Sequence, residues 1–208
     1  MNDDTDRPSV TRRTHPHTGR PRSESSRKAI LDSTLAMLAE HPPSGITIAS
    51  IALEAGVGKS TIYRWWSSRT ALILDAIEEL PKLEDPDTGR FADDLHGLLV
   101  QLTEVLANSP LGKVLAHFAA DSSARRDPVV RDYIGGRLEP VTAVIGRAVV
   151  RGELPASTDV EALVYLALGP VVNRAFFGPD VPTAQFIDCV VATVVRGYGS
   201  DGGRHGAG

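Results

Sequence analysis

The sequence predicts an all-helical chain, with a three-helix N-terminal domain ahead of a larger helical C-terminal domain. Three observations predict it. Apolar residues recur at three- and four-residue spacing through most hydrophobic segments, the period of an amphipathic helix. No hairpin dipeptide stands between two alternating strands. The stretch from Thr47 to Leu72, TIASIALEAGVGKSTIYRWWSSRTAL, reads as two short helices around a glycine turn with a third helix directly behind them.

Taken in order, residues 1–23 are rich in Pro, Thr, Arg and His, with almost no large apolar side chain, and are expected to be a disordered basic arm. Within the arm, Gly19-Arg20-Pro21-Arg22 is similar to the core of minor-groove-binding AT-hooks, in which arginines enter the negative potential of a narrow A·T groove. The other reading of the arm is a solubilising tail. The first domain spans 24–84. A helix from Ser25 or Ser26 to about Glu40 places Ile30, Thr34, Met37 and Leu38 on one face, and Pro42-Pro43 prevents its continuation. Thr47 is a good N-cap for the next helix, where Ile48, Ile51, Ala52 and Ala55 share a face. Gly56 sits where a left-handed residue would end it. A third helix starts at Lys59, and a fourth opens after Ser67-Ser68 and stops at Pro81. Lys82 to Arg90 is polar and proline-containing and reads as a linker.

The second domain spans 86–198. Helices are expected over Phe91–Ala107 and Pro110–Ala120, with Pro110 at a position that favours proline. Further helices are expected over Pro128–Val150 with an interruption near Gly135-Gly136, over Val160–Phe177, and over Pro182–Tyr198. Pro170 should kink the helix that contains it. Residues 199–208 read as a flexible tail.

Function follows from the helix that starts at Lys59. In Lys59-Ser60-Thr61-Ile62-Tyr63-Arg64 only Ile62 is aliphatic, so the helix has little apolar surface and many donors. A helix-turn-helix, here about 47–66, lays such a helix in the DNA major groove. Lysine and arginine suit guanine O6 and N7, hydroxyls can donate to phosphate, and a Thr methyl can pack on a thymine methyl. Thr47, Lys59, Ser60, Thr61 and Arg64 are the DNA-contact candidates from the motif, with Arg20 and Arg22 from the arm and Lys28 from the first helix. The run Gly56 to Thr61 looks like the end of a phosphate-binding loop. That loop needs a glycine five residues before its Gly-Lys-Ser, where this chain has Leu53, and a strand upstream where the spacing here is helical.

These residues carry a resemblance. Thr47-x-x-x-Ile51-Ala52-x-x-Ala55-Gly56-Val57, then Thr61-Ile62-Tyr63, an aromatic pair and Arg69-x-x-Leu72 resemble the TetR family of bacterial transcriptional regulators, with Arg151-Gly152-Glu153-Leu154-Pro155 and Leu168-Gly169-Pro170 further along. The resemblance implies that the Tyr63 hydroxyl donates to a phosphate and that Arg69 clamps the DNA backbone, at a position where lysine is commoner. It implies that the last two helices pair with their twins in a homodimer, through Val164, Leu168, Val172, Phe186, Val190 and Val194. It also implies a small-molecule effector pocket among the middle helices, for which His117, Phe118, Asp121, Tyr133, Arg137, Tyr165, Asn173 and Phe176 are candidates by residue type. The expected partners are operator DNA, a second copy and an unidentified effector, with release of DNA when the effector binds.

Composition bounds the alternatives. The net charge of −4 divides into 10 Lys/Arg against 7 Asp/Glu over residues 1–70 and 12 against 19 over the rest. A basic end on an acidic remainder fits a chain that touches phosphates at one end. No apolar run is expected to span a membrane and no secretory signal is expected, which points to the cytoplasm. Cys189 is the single cysteine, so no intrachain disulfide forms, and it is expected to be a small buried hydrophobe. No metal, cofactor or catalytic constellation is expected, because no histidine pair has ligand spacing and no Ser-His-Asp set falls on facing elements. One of Trp65 and Trp66 should plug the core, and the sequence does not say which. A small helical enzyme and an effector-free architectural DNA-binding module remain as other readings.

Overall fold

The computed structural model describes residues 20–198, without the side chains at 20–22 and 125. Ten α-helices and two single 3-10 turns account for its regular structure: α1 (Arg20–Glu40), α2 (Ile48–Glu54), α3 (Lys59–Trp65), α4 (Arg69–Glu78), α5 (Phe91–Asn108), α6 (Pro110–Ala120), α7 (Pro128–Arg137), α8 (Glu139–Val150), α9 (Val160–Phe177) and α10 (Ala184–Tyr198). The turns are Pro43–Gly45 and Ala124–Arg126. Helix α1 begins at Arg20, earlier than Ser25. Pro21 falls in the first turn, where its missing N–H costs no intrahelical bond, so the helix extends through it. The side chains of Arg20 and Arg22, the rest of the arm and the tail lie outside the described residues.

Two apolar cores form, and they do not divide at residues 82–90. One joins α5, α8, α9 and α10 through Phe91, Leu95, Leu98, Val144, Ile145, Leu163, Ala167, Val171 and Val190. The other joins α1 to α4 through Ile30, Leu38, Ile51, Ile62, Leu72 and Ile77, but it also takes Leu111, Val114 and Phe118 of α6 and Val130 of α7. The elbow from α5 to α6 is a single residue, Ser109, whose Oγ accepts from the Leu111 amide at 3.2 Å and donates to the Val105 carbonyl at 2.7 Å.

The segment at 82–90 is strapped down, which its polar composition did not suggest. The Arg147 guanidinium of α8 donates to both Asp85 carboxylate oxygens, at 2.9 and 2.6 Å, and to the Pro86 carbonyl at 2.6 Å. Its fork matches the planar carboxylate, and the bond holds the Asp85 carboxyl below its ordinary range. After α8, Gly152 takes a positive φ of 77°, which turns the chain so that Arg151 and Glu153 face the same segment. Arg151 pairs with Glu153 at 2.6 Å, and the other Glu153 oxygen accepts from the Phe91 amide at 2.7 Å, capping α5. Burial pushes the Glu153 carboxyl up, but the Phe91 amide and Arg151 together leave it below its usual value.

Helix α9 corrects one expectation. By length and composition it is apolar enough to cross a membrane. Here it packs against α5, α8 and α10, with Leu163, Val164, Ala167, Leu168 and Val171 buried.

Candidate nucleic-acid interface and ligand cavity

The N-terminal four helices present α3 outward. Thr47 Oγ1 accepts from the Ser50 amide at 3.1 Å while Ser50 Oγ accepts from the Thr47 amide at 3.0 Å, a reciprocal cap that fixes where α2 starts. Thr47→Ala is therefore expected to lower stability by about 1 kcal/mol, read as a shift in the urea midpoint at unchanged slope. An unshifted midpoint would mean that solvent replaces the cap at no cost. Gly56, at φ 64°, ends the α2 turn with its amide on the Leu53 carbonyl at 3.2 Å. A side chain there would be strained, which is why glycine stands at the bend. Helix α3 is anchored by Ile62, which is fully buried, while Lys59, Ser60, Tyr63 and Arg64 are exposed and Thr61 is half-buried. Trp66 is the ring in the core and Trp65 is exposed. Trp66 Nε1 donates to Asp75 Oδ2 at 2.8 Å, and Arg27 pairs with the same oxygen at 2.6 Å.

Arg69 also has partners within the chain. Its Nη1 donates to the Pro43 and Ile46 carbonyls at 3.0 and 2.9 Å, so that nitrogen braces the loop before Thr47. Lys28 pairs with Asp32 at 2.9 Å on the exposed side of α1.

Behind this domain, α5, α6, α7 and α9 enclose a cavity of about 600 Å³, within the usual range for small-molecule sites. Of the expected pocket residues, Phe118, Tyr133, Arg137, Tyr165 and Phe176 line it. His117, Asp121 and Asn173 do not. His117 is half-buried beside the Phe118 ring, and Asn173 is exposed on the outer side of α9. Asp121 Oδ1 accepts from the Ser123 hydroxyl at 2.7 Å and from its amide at 2.8 Å, which holds its carboxyl below the ordinary range and ties it to the turn at 124–126. Leu102, Val105, Leu106, Leu115, Ile134 and Leu138 also line the cavity. Composition hid them, since a cavity-facing leucine looks like a core leucine.

Tyr133 is pushed up to about 12, chiefly by burial, although the neighbouring Arg137 opposes the shift. Its hydroxyl thus stays protonated and can donate, here to the Ile77 carbonyl at 3.4 Å.

Residues 30–76 match the family model for bacterial regulatory proteins of the tetR family, and residues 85–194 match the model for the tetracyclin repressor-like C-terminal domain. The chain belongs to the TetR family.

This family member is 34% identical to the HTH-type transcriptional regulator AqdR of Rhodococcus erythropolis over 164 residues, 76% of this chain and 78% of AqdR. It is 29% identical to the HTH-type transcriptional repressor LfrR of Mycolicibacterium smegmatis, over 84% of this chain and 90% of LfrR. Among solved structures, the TetR family transcription regulator SCO0332 superposes with a TM-score of 0.65 at 26% identity, covering 83% of this chain and 98% of that one. The chain is a DNA-binding transcriptional regulator and not an enzyme.

The residues named for the dimer interface are mostly turned inward. Val164, Leu168, Val190 and Val194 are 5–8% exposed and belong to the core shared with α5, while Val172 and Phe186 are half-buried against it. Both last helices must first cover α5 and α8, so their most apolar positions face the chain itself. The outer side carries Leu166 and Phe177 of α9, 53% and 81% exposed, and on α10 Cys189, Ala192 and Thr193 are exposed. Cys189 is exposed, because it sits opposite the stripe of Ile187, Val191 and Val194 that packs inward.

Proposed function

We propose that the chain is a ligand-responsive repressor that acts in the cytoplasm and binds a two-fold symmetric operator as a homodimer. The observation that carries the reading is the outward row Lys59, Ser60, Tyr63 and Arg64 on a helix whose one buried side chain is Ile62. Such a helix is held from beneath and offers only donors to a groove. Lys59 and Arg64 are assigned to base edges, Ser60, Thr61 and Tyr63 to phosphates, and Thr47 to the phosphate beside its cap. Arg69 acts on DNA through the loop it braces, and Lys28 adds general charge attraction. The outer faces of α9 and α10 pair two copies, with Leu166 and Phe177 as the apolar contribution. The cavity behind the domain supports release by a small molecule, since a bound effector shifts the equilibrium toward a dimer whose two α3 helices no longer match the half-site spacing.

The test is selection of DNA sequences by the purified protein. Half-sites should be centred about 34–36 Å apart or a multiple of that. Tyr63→Phe is expected to weaken all sequences alike, whereas Lys59→Ala should change the preferred bases at a cost of about 1–3 kcal/mol. Identical preferred sites for wild type and Lys59→Ala would remove the base-reading role. Failure to select any sequence would remove the repressor reading.

A further inference from the structure

Arg137 stands between the cavity and the DNA-binding helices. It lines the cavity, yet its guanidinium is committed to the end of α4, with Nη2 on the Ile77 and Leu80 carbonyls at 2.6 and 3.3 Å and Nη1 on the Pro81 carbonyl at 2.9 Å. Ile77 lies in the last turn of α4, where a cation is favoured, and its carbonyl also accepts from the Leu80 amide at 3.1 Å, while Leu80 and Pro81 follow directly after the helix. Arg137 Nε is buried with no hydrogen-bond partner, and the nearest carboxylate, Glu78, stands 3.9 Å away and also pairs with Lys82. A second guanidinium, Arg131, lines the cavity, and no Asp, Glu or His does. The rest of the wall is aliphatic and aromatic apart from the Tyr133 and Tyr165 hydroxyls.

Building on the effector reading above, we propose that the cavity takes an apolar small molecule with a carboxylate head, and that Arg137 binds this head by giving up its hold on the end of α4. Two cations without a lining anion select a negative ligand. A guanidinium–carboxylate pair has two parallel charge-assisted bonds, each stronger than a bond to a neutral carbonyl. Arg137 therefore exchanges partners when the ligand enters. Helix α4 then loses the stronger of its polar ties to α7 and can tilt, carrying Asp75 and with it the Trp66 ring that follows α3. Arg131 on the same helix adds attraction without touching α4.

The probes are decanoate, decanol and decylamine, titrated calorimetrically below their aggregation limits into the full-length chain, with and without DNA selected as above. Decanoate is expected to bind at least tenfold more tightly than decanol, with decylamine weakest, and selected DNA should weaken decanoate binding several-fold. In Arg137→Gln the preference for decanoate should fall below twofold and the effect of DNA should vanish. Arg131→Gln should lower the preference but keep the effect of DNA, and it serves where Arg137→Gln fails to fold. Wild-type binding of decanol or decylamine as tight as that of decanoate, or no decanoate binding, overturns the proposal. DNA release by decanol, with Arg137→Gln unaffected, would leave the effector reading standing and sink the carboxylate assignment alone.

Discussion

The double variant Leu166→Asp, Ala192→Asp is expected to be a folded monomer, whereas Val190→Asp alone is expected to leave no folded protein. All three positions lie on the last two helices, and helical periodicity sorts them poorly because α9 is apolar nearly all round. Leu166 is 53% exposed and Ala192 is exposed, so a charge at either stays in water within one chain and is buried only against a second copy. Val190 is 8% exposed and packs in the core that α5 organises. An unpaired carboxylate there costs several kcal/mol, a large part of the roughly 5–15 kcal/mol that holds a domain together. Losing the second half-site should weaken operator binding by about 10²- to 10⁴-fold. Sedimentation, circular dichroism and DNA titration of the two variants decide the matter. If the double variant sediments as a dimer with native affinity, the copies pair through another face.

Gly112→Val is expected to destabilise the chain by roughly 3 kcal/mol, at the upper end for an overpacked core. Gly112 is buried in α6, directly after the one-residue elbow, and a Cβ there would overlap the Leu106 carbonyl of α5. The clash is with backbone, so no side chain can turn aside to relieve it. Gly146→Ala in α8 is the matched control. A Cβ at Gly146 meets nothing within 4 Å, and alanine in a helix interior is favoured over glycine by about 1 kcal/mol, so that variant should be more stable than the parent. Urea unfolding of both reads the difference, and equal midpoints would mean that the elbow opens without cost.

The helices and the recognition motif were legible because each rests on local chemistry. Thr47 and Gly56 bound α2, Pro110 opens α6, and Ile62 alone among polar neighbours marks a helix held at one point. Trp66 stands four residues after the buried Ile62 and shares its inward face, and Asp75 of α4 takes its indole N–H. The brace that Arg69 provides could not be read locally, since its carbonyl partners at Pro43 and Ile46 lie more than twenty residues away. Arg147 and Asp85 form the strap on the 82–90 segment across sixty residues, and neither carries a local signal. In the cavity, aromatic and charged residues stood out by type, but half the wall is leucine and valine, and composition treats those as filling. Val164, Leu168, Val190 and Val194 were named for the pairing face because the resemblance implies that the last two helices pair without showing which of their apolar residues face outward.

Swapping sensory modules between regulators usually means cutting where the recognition helices end, and here that cut would pass through a core. Leu111, Val114, Phe118 and Val130 complete the packing begun by Ile30, Leu38 and Ile77, although they follow residues 82–90 in the chain. A hybrid joined at that segment inherits half of each interlocking surface and must find shape matches by chance. Grafts that carry α6 and the first turns of α7 along with the N-terminal helices would keep the jigsaw intact. Such a graft leaves Arg137, the brace on the end of α4, as the natural seam at which a new specificity could be wired to an old reader.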